Sequence, residues 1–317
     1  MPIRPATPES ITRAVALLRS GGVVALPTET VYGLGALVWD AAAVARIFEI
    51  KRRPAFDPLI VHIGDREALE RVAARVPKAA ETLIGRFWPG PLTIVLPKRP
   101  RVPALVTAGL STVAVRMPSH PVARALLRGL GEPLAAPSAN AFGGLSPTRA
   151  AHVAEALGAN VDLILDGGAT HYGIESTIVA VEPAPVLLRP GAVAAEEIEA
   201  TIGPLARGAP PGPASAPGQL PVHYAPRTPL RVVDPAEVPP AERAAAGALA
   251  FHEPFEGYAS VRVLSRRGDL REAAAAFFEA LHELDALGLE RIDAQPMEER
   301  GLGLAMMDRL RRAAAGH

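Results

Sequence analysis

Apolar positions along the chain change period several times, and those changes divide it. Residues 22–27 (G-V-V-A-L-P) form a continuous apolar run that ends in a turn residue, which predicts a buried strand. Residues 41–50 return to apolar positions at helical spacing before a basic loop. Further strands are expected at 59–63, 92–96, 113–117, 163–165, 177–181 and 186–188, and helices at 66–75, 78–87, 121–130, 148–157 and 195–202. Several of these strands follow one another without a helix between, which an all-parallel sheet does not allow. The pattern therefore predicts an α/β fold with a mixed sheet and flanking helices.

The texture then changes. Between Gly203 and Pro229 stand eight prolines and four glycines in 27 residues, a stretch that sustains neither a helix nor a central strand and reads as a linker. Beyond it, short strands are expected at 230–233, 248–251 and 261–264, and amphipathic helices at 270–287 and 302–315. The expected organisation is a first domain over 1–203, a Pro/Gly-rich linker over 204–228 and a smaller C-terminal α/β domain over 229–317. No internal repeat interrupts it.

Composition narrows the function classes. A chain of 317 residues is long enough for two cores. With 33 Lys+Arg against 33 Asp+Glu there is no global field drawing it to nucleic acid or to an anionic membrane. Cysteine is absent, which excludes disulfides, thiolate metal sites, iron–sulfur clusters and a cysteine nucleophile. Residues 1–10 lack the basic start and apolar stretch of a signal peptide, and no segment approaches the ~18 apolar residues of a membrane span, so a cytoplasmic protein is expected. Lysine occurs only at 51, 78 and 98, which makes Lys51, in a basic loop, conspicuous.

Familiar catalytic signatures fail. Gly33-Leu34-Gly35 lacks the third glycine of a dinucleotide fingerprint, and there is no Walker A loop, no H-E-x-x-H and no G-x-S-x-G elbow. What remains is a set of polar segments at strand ends. Pro27 to Gly35 (P-T-E-T-V-Y-G-L-G) follows a strand with hydroxyls and a carboxylate, a pattern that taken alone reads more simply as a turn with a helix cap. Lys51 to Leu59 (K-R-R-P-A-F-D-P-L) places three cations beside two stiffening prolines, ahead of an apolar strand carrying His62; a solvated basic loop is the alternative. Arg116 alternates with Val113 and Val115 and so faces away from them. Ala135 to Thr148 is rich in small residues, with Ser146 placed to cap a helix starting near Pro147. G-I-E-S-T-I-V at 173–179 and L-R-P-G at 188–191 complete the set. Cations, hydroxyls and an amide, without a triad or paired catalytic carboxylates, suit an anionic ligand and in-line transfer by positioning.

In order, P-T-E-T-V-Y-G-L, K-x-R-P-x-x-x-P-L-I-V-H, F-W-P-G-P-L-T, T-V-A-V-R-M-P, A-P-S-A-N…S-P-T, E-S-T-I-V and L-R-P-G resemble the YrdC-like domain of threonylcarbamoyl-AMP synthases. H-Y-A-P at 223–226 and G-L-G-L-A-M-M-D-R-L at 301–310 resemble the long, two-domain form of that family. The resemblance implies an enzyme that joins L-threonine, bicarbonate and ATP into threonylcarbamoyl-AMP and pyrophosphate, serving threonylcarbamoyladenosine in tRNA. It implies that Thr30, His62, Arg116, Ala136 and Ser176 surround threonine, and that Lys51, Arg53, Asp57, Thr112, Ser138, Asn140, Ser146, Arg189 and Tyr224 surround ATP. Lys51 and Arg53 are the expected catalytic counter-charges, and Arg116 the fork for the threonine carboxylate. His62 is the candidate base for threonine carboxylation, a step that can also be spontaneous. Mg²⁺ is expected on the ATP phosphates, without a protein metal site. The linker is expected to fold over the nucleotide as a lid, and the labile product to pass to threonylcarbamoyl transferase machinery; binding of tRNA is compatible with this but not required.

Two places depart from the family's pattern: Asp57 stands where Asn is usual before Pro-Leu, and the residues before H-Y-A-P (P-G-Q-L-P-V) lack basic and aromatic members. Two other functions compete. Neutral charge and 4% aromatic residues weigh against a nucleic-acid-binding module. The related domain of hydrogenase-maturation carbamoyltransferases sits in longer chains with cysteine-rich zinc modules, which a chain without cysteine cannot form.

Overall fold

A computed structural model of the chain describes residues 3–208, 218 and 222–316. In chain order the first lobe contains β1 (Ile3–Pro5), α1 (Pro8–Arg19), β2 (Val24–Leu26), β3 (Gly33–Leu37), α2 (Ala41–Lys51), β4 (Ile60–His62), α3 (Arg66–Val72), α4 (Lys78–Phe87), β5 (Leu92–Pro97), α5 (Ala104–Thr107) and β6 (Thr112–Arg116). It continues through α6 (Pro121–Leu130), β7 (Leu134–Ala135), α7 (Ala150–Leu157), β8 (Leu163–Asp166), β9 (Thr177–Ala180), β10 (Val186–Arg189), α8 (Ala195–Ile202) and β11 (Ala206–Arg207). The strands form one 11-stranded sheet in the order β1-β8-β2-β3-β7-β4-β6-β5-β9-β10-β11. Its pairings mix parallel and antiparallel: β4 runs parallel to β6, and β7 antiparallel to both β3 and β4.

The second lobe contains β12 (Leu230–Val232), α9 (Pro240–Arg243), β13 (Ala246–Ala250), β14 (Ser260–Val263), α10 (Leu270–Asp285), β15 (Arg291–Ala294) and α11 (Leu302–Ala314). Its four strands are all parallel, in the order β12-β15-β13-β14.

Four local departures from the sequence reading have physical reasons. Helix α1 was not expected, although Thr7 caps it by accepting from the Ser10 N–H and Pro8 opens it. Strand β3 begins inside the polar segment Pro27 to Gly35, whose glycines and hydroxyls suit a turn; at Gly35 a side chain would lie 3.1 Å from Leu26, so this close pairing of β2 and β3 calls for glycine. Strand β15 alternates charged and apolar residues, and its buried Asp293 is held by Arg231 and Arg291. The helix expected from 148 starts at Ala150: the Pro147 carbonyl accepts from the Tyr32 N–H, and Arg149, not Ser146, occupies the cap position. The expected linker contributes β11 to the sheet edge, parallel to β10. The linker residues 209–217 and 219–221 lie outside the described residues.

Strand periodicity sorts the core. Val61, Val115 and Val179 pack on the helical side with Leu69, Leu83 and Ile198, while Ile60, Ala114, Ile178 and Leu188 gather in a smaller cluster on the opposite face. His62 and Arg116, in register with one another, share that second face. The second lobe packs Phe277, Phe278 and Leu281 of α10 into a core that also takes Ile174, Leu145 and Tyr224.

The lobes approach closely at Gly173, whose φ is +67° and where a side chain would lie 2.4 Å from the carbonyl oxygens of Ala274 and Ala275. Gly173→Ala should cost about 2–3 kcal/mol or more by steric and left-handed strain together, a fall of roughly 5–10 °C in melting temperature. Gly85→Ala, in the last turn of α4 with nothing within 4 Å of the added carbon, should be neutral or stabilising by up to about 1 kcal/mol. Thermal melts of the two variants check both; equal melting temperatures would refute the close approach.

Candidate active site

The ends of β4, β6 and β10 and the segments following β2 and β7 converge on one cavity of about 50 Å³. Thr30, His62, Arg116, Ala136 and Ser176 line it, as do Arg53, Ser138, Arg189 and Tyr224. Both groups named in the sequence reading therefore meet in one place, with Gly218 and His223 contributing to the same wall.

Arg116 is 3% exposed, so a role as a solvated strand residue is ruled out. Its Nη2 lies 2.7 Å from Glu29 Oε1, Nη1 donates to Thr30 Oγ1 at 2.8 Å, and Nε donates to the Gly90 carbonyl. Burial pushes the Glu29 carboxyl upward, but Arg116 more than offsets this and leaves it below its ordinary value. Beside this pair, burial and then the Arg116 charge push His62 down to about 3. His62 is therefore neutral across the physiological range, and its Nδ1 is buried without a hydrogen-bond partner among the described residues.

The basic loop is folded inward. Arg52 ends α2 in the left-handed conformation with φ 53°, which turns Lys51 and Arg53 to buried positions while Arg52 stays exposed. Lys51 Nζ donates to the carbonyls of Ser138 and Asn140 at 2.6 and 2.5 Å. Burial, then the nearby Arg53 charge, lowers its ammonium well below the ordinary lysine value. Arg53 pairs with Asp57 at 2.9 Å and donates to the Asp57 and Pro58 carbonyls. The unusual Asp57 thus faces a cation.

Not every candidate reaches the cavity wall. Lys51 lies behind Ser138, and Asp57 behind Arg53. Asn140 ties its own loop by donating to the carbonyls of Ala141 and Gly144. Thr112 sits at the far end of β6 from Arg116, opposite Pro97, and is not among the lining residues. Ser146 is fully buried, and its hydroxyl donates to Glu175. The expectation that Ser146 caps α7 and presents its amides to a phosphate is corrected by that contact.

Sequence reasoning singled out neither Glu29 nor Glu175, though each sits inside a motif it marked. The signal was a carboxylate flanked by hydroxyl residues directly after or before a strand, which here marks the counter-ion of a buried arginine. Among the described residues, the five cations Lys51, Arg53, Arg116, Arg189 and Arg309 stand against the four carboxylates Glu29, Asp57, Glu175 and Asp308 in and around the cavity. The surplus is positive and suits an anion, and no serine–histidine–aspartate arrangement accompanies it.

A family model described as "Telomere recombination" matches residues 16–191, and one described as "Threonylcarbamoyl-AMP synthase, C-terminal domain" matches residues 193–315. A threonylcarbamoyl-AMP synthase of Pyrococcus abyssi is 45% identical over 95% of this chain and 93% of its own. The chain belongs to the threonylcarbamoyl-AMP synthase family. A Bacillus subtilis threonylcarbamoyl-AMP synthase is 44% identical over 96% of the chain and 93% of its own length. The crystal structure of Pyrococcus abyssi Sua5 complexed with L-threonine superposes with a TM-score of 0.89 at 44% identity, covering 96% of this chain and 94% of that one. The family's two-part architecture thus runs through both lobes, and among the described residues no helix is long and apolar enough to cross a membrane.

Buried and half-buried histidines, His62 and His223 in the cavity and His152 against the second lobe, set an acid limit on stability. His62 is lowered to about 3, His152, stacked on His282, to about 4, and His223 well below its ordinary value, in each case first by burial. As pH falls below ~6.5 the unfolded chain takes up these protons while the folded chain does not, so stability is complete above ~6.5 and falls toward the folded values, by about 1.4 kcal/mol per pH unit for each such histidine. His62→Gln should flatten the decline of urea midpoint between pH 6.5 and 4 by about one proton equivalent. An unchanged slope would show that His62 titrates normally in the fold.

Proposed function

We propose that the cavity joins L-threonine, bicarbonate and ATP into threonylcarbamoyl-AMP with release of pyrophosphate. The observation that carries this reading is one cavity lined at once by the buried arginines Arg116, Arg53 and Arg189 and by small residues such as Ala136 and Ser138. Arg116, oriented by Glu29 and Thr30, suits the threonine carboxylate; Ala136 leaves room for the backbone of the substrate, and Ser176 and His62 border the same end. As the threonine amine bonds to the bicarbonate carbon, the proton it loses passes by way of His62 to the departing hydroxyl, which leaves as water and gives the carbamate.

A carbamate oxygen then attacks the α-phosphorus of ATP as the bond to the pyrophosphate oxygen breaks. Arg53 and Arg189 stabilise the charge that develops there, while Lys51 holds the Ser138–Asn140 loop against the nucleotide. Mg²⁺ would be carried by the triphosphate, where it neutralises phosphate charge: each carboxylate around the cavity already answers an arginine, and no group of three metal-ligating side chains occurs among the described residues.

The cavity is partly open to solvent, and Gly218, His223 and Tyr224 form one of its walls. In the lid role expected for the linker, closure of this wall over the nucleotide would exclude water from the labile carbamate. The anhydride formed is itself labile, which suits hand-over to a transferase that places the threonylcarbamoyl group on tRNA adenosine.

Pyrophosphate release should require ATP, L-threonine and bicarbonate together. Arg53→Met should lower kcat/KM by about 100-fold or more, and Arg116→Lys should raise the KM for threonine by at least ten-fold with little change in that for ATP, in line with charge-assisted contacts worth about 1.5–3 kcal/mol. Steady-state assays with each substrate omitted in turn check this. Release of pyrophosphate without threonine would sink the reading.

A further inference from the structure

Arg309 belongs to α11 of the second lobe, yet it is 0% exposed and ends among residues of the first. Its Nε donates to Glu175 Oε2 at 3.0 Å, its Nη2 lies 3.0 Å from the same oxygen, and its Nη1 donates to the Pro190 carbonyl at 2.6 Å. Asp308 balances Nη1 from the helix itself. The guanidinium carbon stands 5.1 Å from the centre of the Tyr224 ring. The other oxygen of Glu175 accepts from Ser146 Oγ, whose carbonyl in turn meets His282 of α10.

Glu175 directly precedes Ser176. Arg189 donates twice to the Ser176 carbonyl, at 3.2 and 2.7 Å, and once to its hydroxyl, and it lines the cavity from there. Two arginines thus lie close to one buried carboxylate, and each has a different task. We propose that Arg309 is a positioning residue of the synthase site: by occupying Glu175 it leaves Arg189 on Ser176, facing the cavity. A carboxylate that is 5% exposed does not stay unpaired, and Arg189 already acts on its charge. Without Arg309, Arg189 is the cation available to Glu175, and its turn toward that carboxylate removes it from the nucleotide. The second lobe therefore completes the ATP side of the site from behind. This rests on the reading of the cavity as the threonylcarbamoyl-AMP synthase site.

The test compares Arg309→Met, Glu175→Gln and the double variant, reading ATP affinity by calorimetry and the KM values for ATP and threonine. Arg309→Met should weaken ATP at least ten-fold in both Kd and KM, with a smaller change for threonine. Adding Glu175→Gln, which removes the competing charge, should bring ATP affinity back to within about three-fold of wild type. A role in packing alone predicts a lower kcat with unchanged KM values and no rescue, and that result would overturn the inference. Should Arg309→Met fail to fold, the double variant is measured alone against wild type: near-normal ATP affinity supports the inference, and ten-fold weaker affinity or failure to fold overturns it. A wild-type protein that binds ATP but releases no pyrophosphate with all substrates present would refute the proposed function, and the ATP affinities of the variants would still decide the role of Arg309.

Discussion

Burying positive charge is the constraint around which the molecule is organised. Arg53, Arg116, Arg189, Arg309 and Lys51 are each less than a tenth exposed, and a cation withdrawn from water needs an opposite charge or a full set of acceptors. The fold answers each in a different way. Asp57 comes from four residues along the same loop, Glu29 from the segment after β2 and Glu175 from the turn before β9, while Lys51 finds backbone carbonyls of the segment after β7 and Arg189 the carbonyl and hydroxyl of Ser176. These pairs do not stabilise the protein as well-packed apolar residues would, but removing either member leaves a lone buried charge at a cost of about 3–5 kcal/mol. The ion pairs thus tie strand ends and loops together on the face of the sheet that carries only the small cluster around Ile60 and Ile178.

Helices were legible wherever one apolar face repeated without interruption, as in α4, α6 and α10. The mixed sheet was legible from strands that follow one another directly. What escaped were elements whose sequence states something other than their structure. In β3 two glycines read as loop because their value lies in what they leave out, room for Leu26 beside Gly35. In β15 the polar residue points inward, and only the partners Arg231 and Arg291, one of them some sixty positions away in the chain, make that tolerable. Such compensation is a tertiary fact, and no window of local sequence contains it.

The site was legible in a similarly uneven way. Motifs located the cavity, and Arg116 was placed on the correct face by strand alternation alone. Sequence could not separate residues that touch the cavity from those that hold them: Lys51 and Asp57 sit one layer behind Ser138 and Arg53. Ser146 looked like a helix cap because a serine before Pro-Thr commonly is one, and it is instead a hydroxyl donor to Glu175.

A net charge of zero over the chain conceals a cavity with a positive surplus, and the two facts are connected. A globally basic protein would draw polyanions to its whole surface, whereas buried cations act over a short range and in a medium where their fields are little screened. On the proposed reading the anionic groups of threonine and ATP become the partners of guanidinium groups already fixed in place, so little reorganisation accompanies the build-up of charge at phosphorus. Burial and then the Arg116 charge keep His62 unprotonated beside Arg116. In that reading, one electrostatic arrangement therefore orients both substrates.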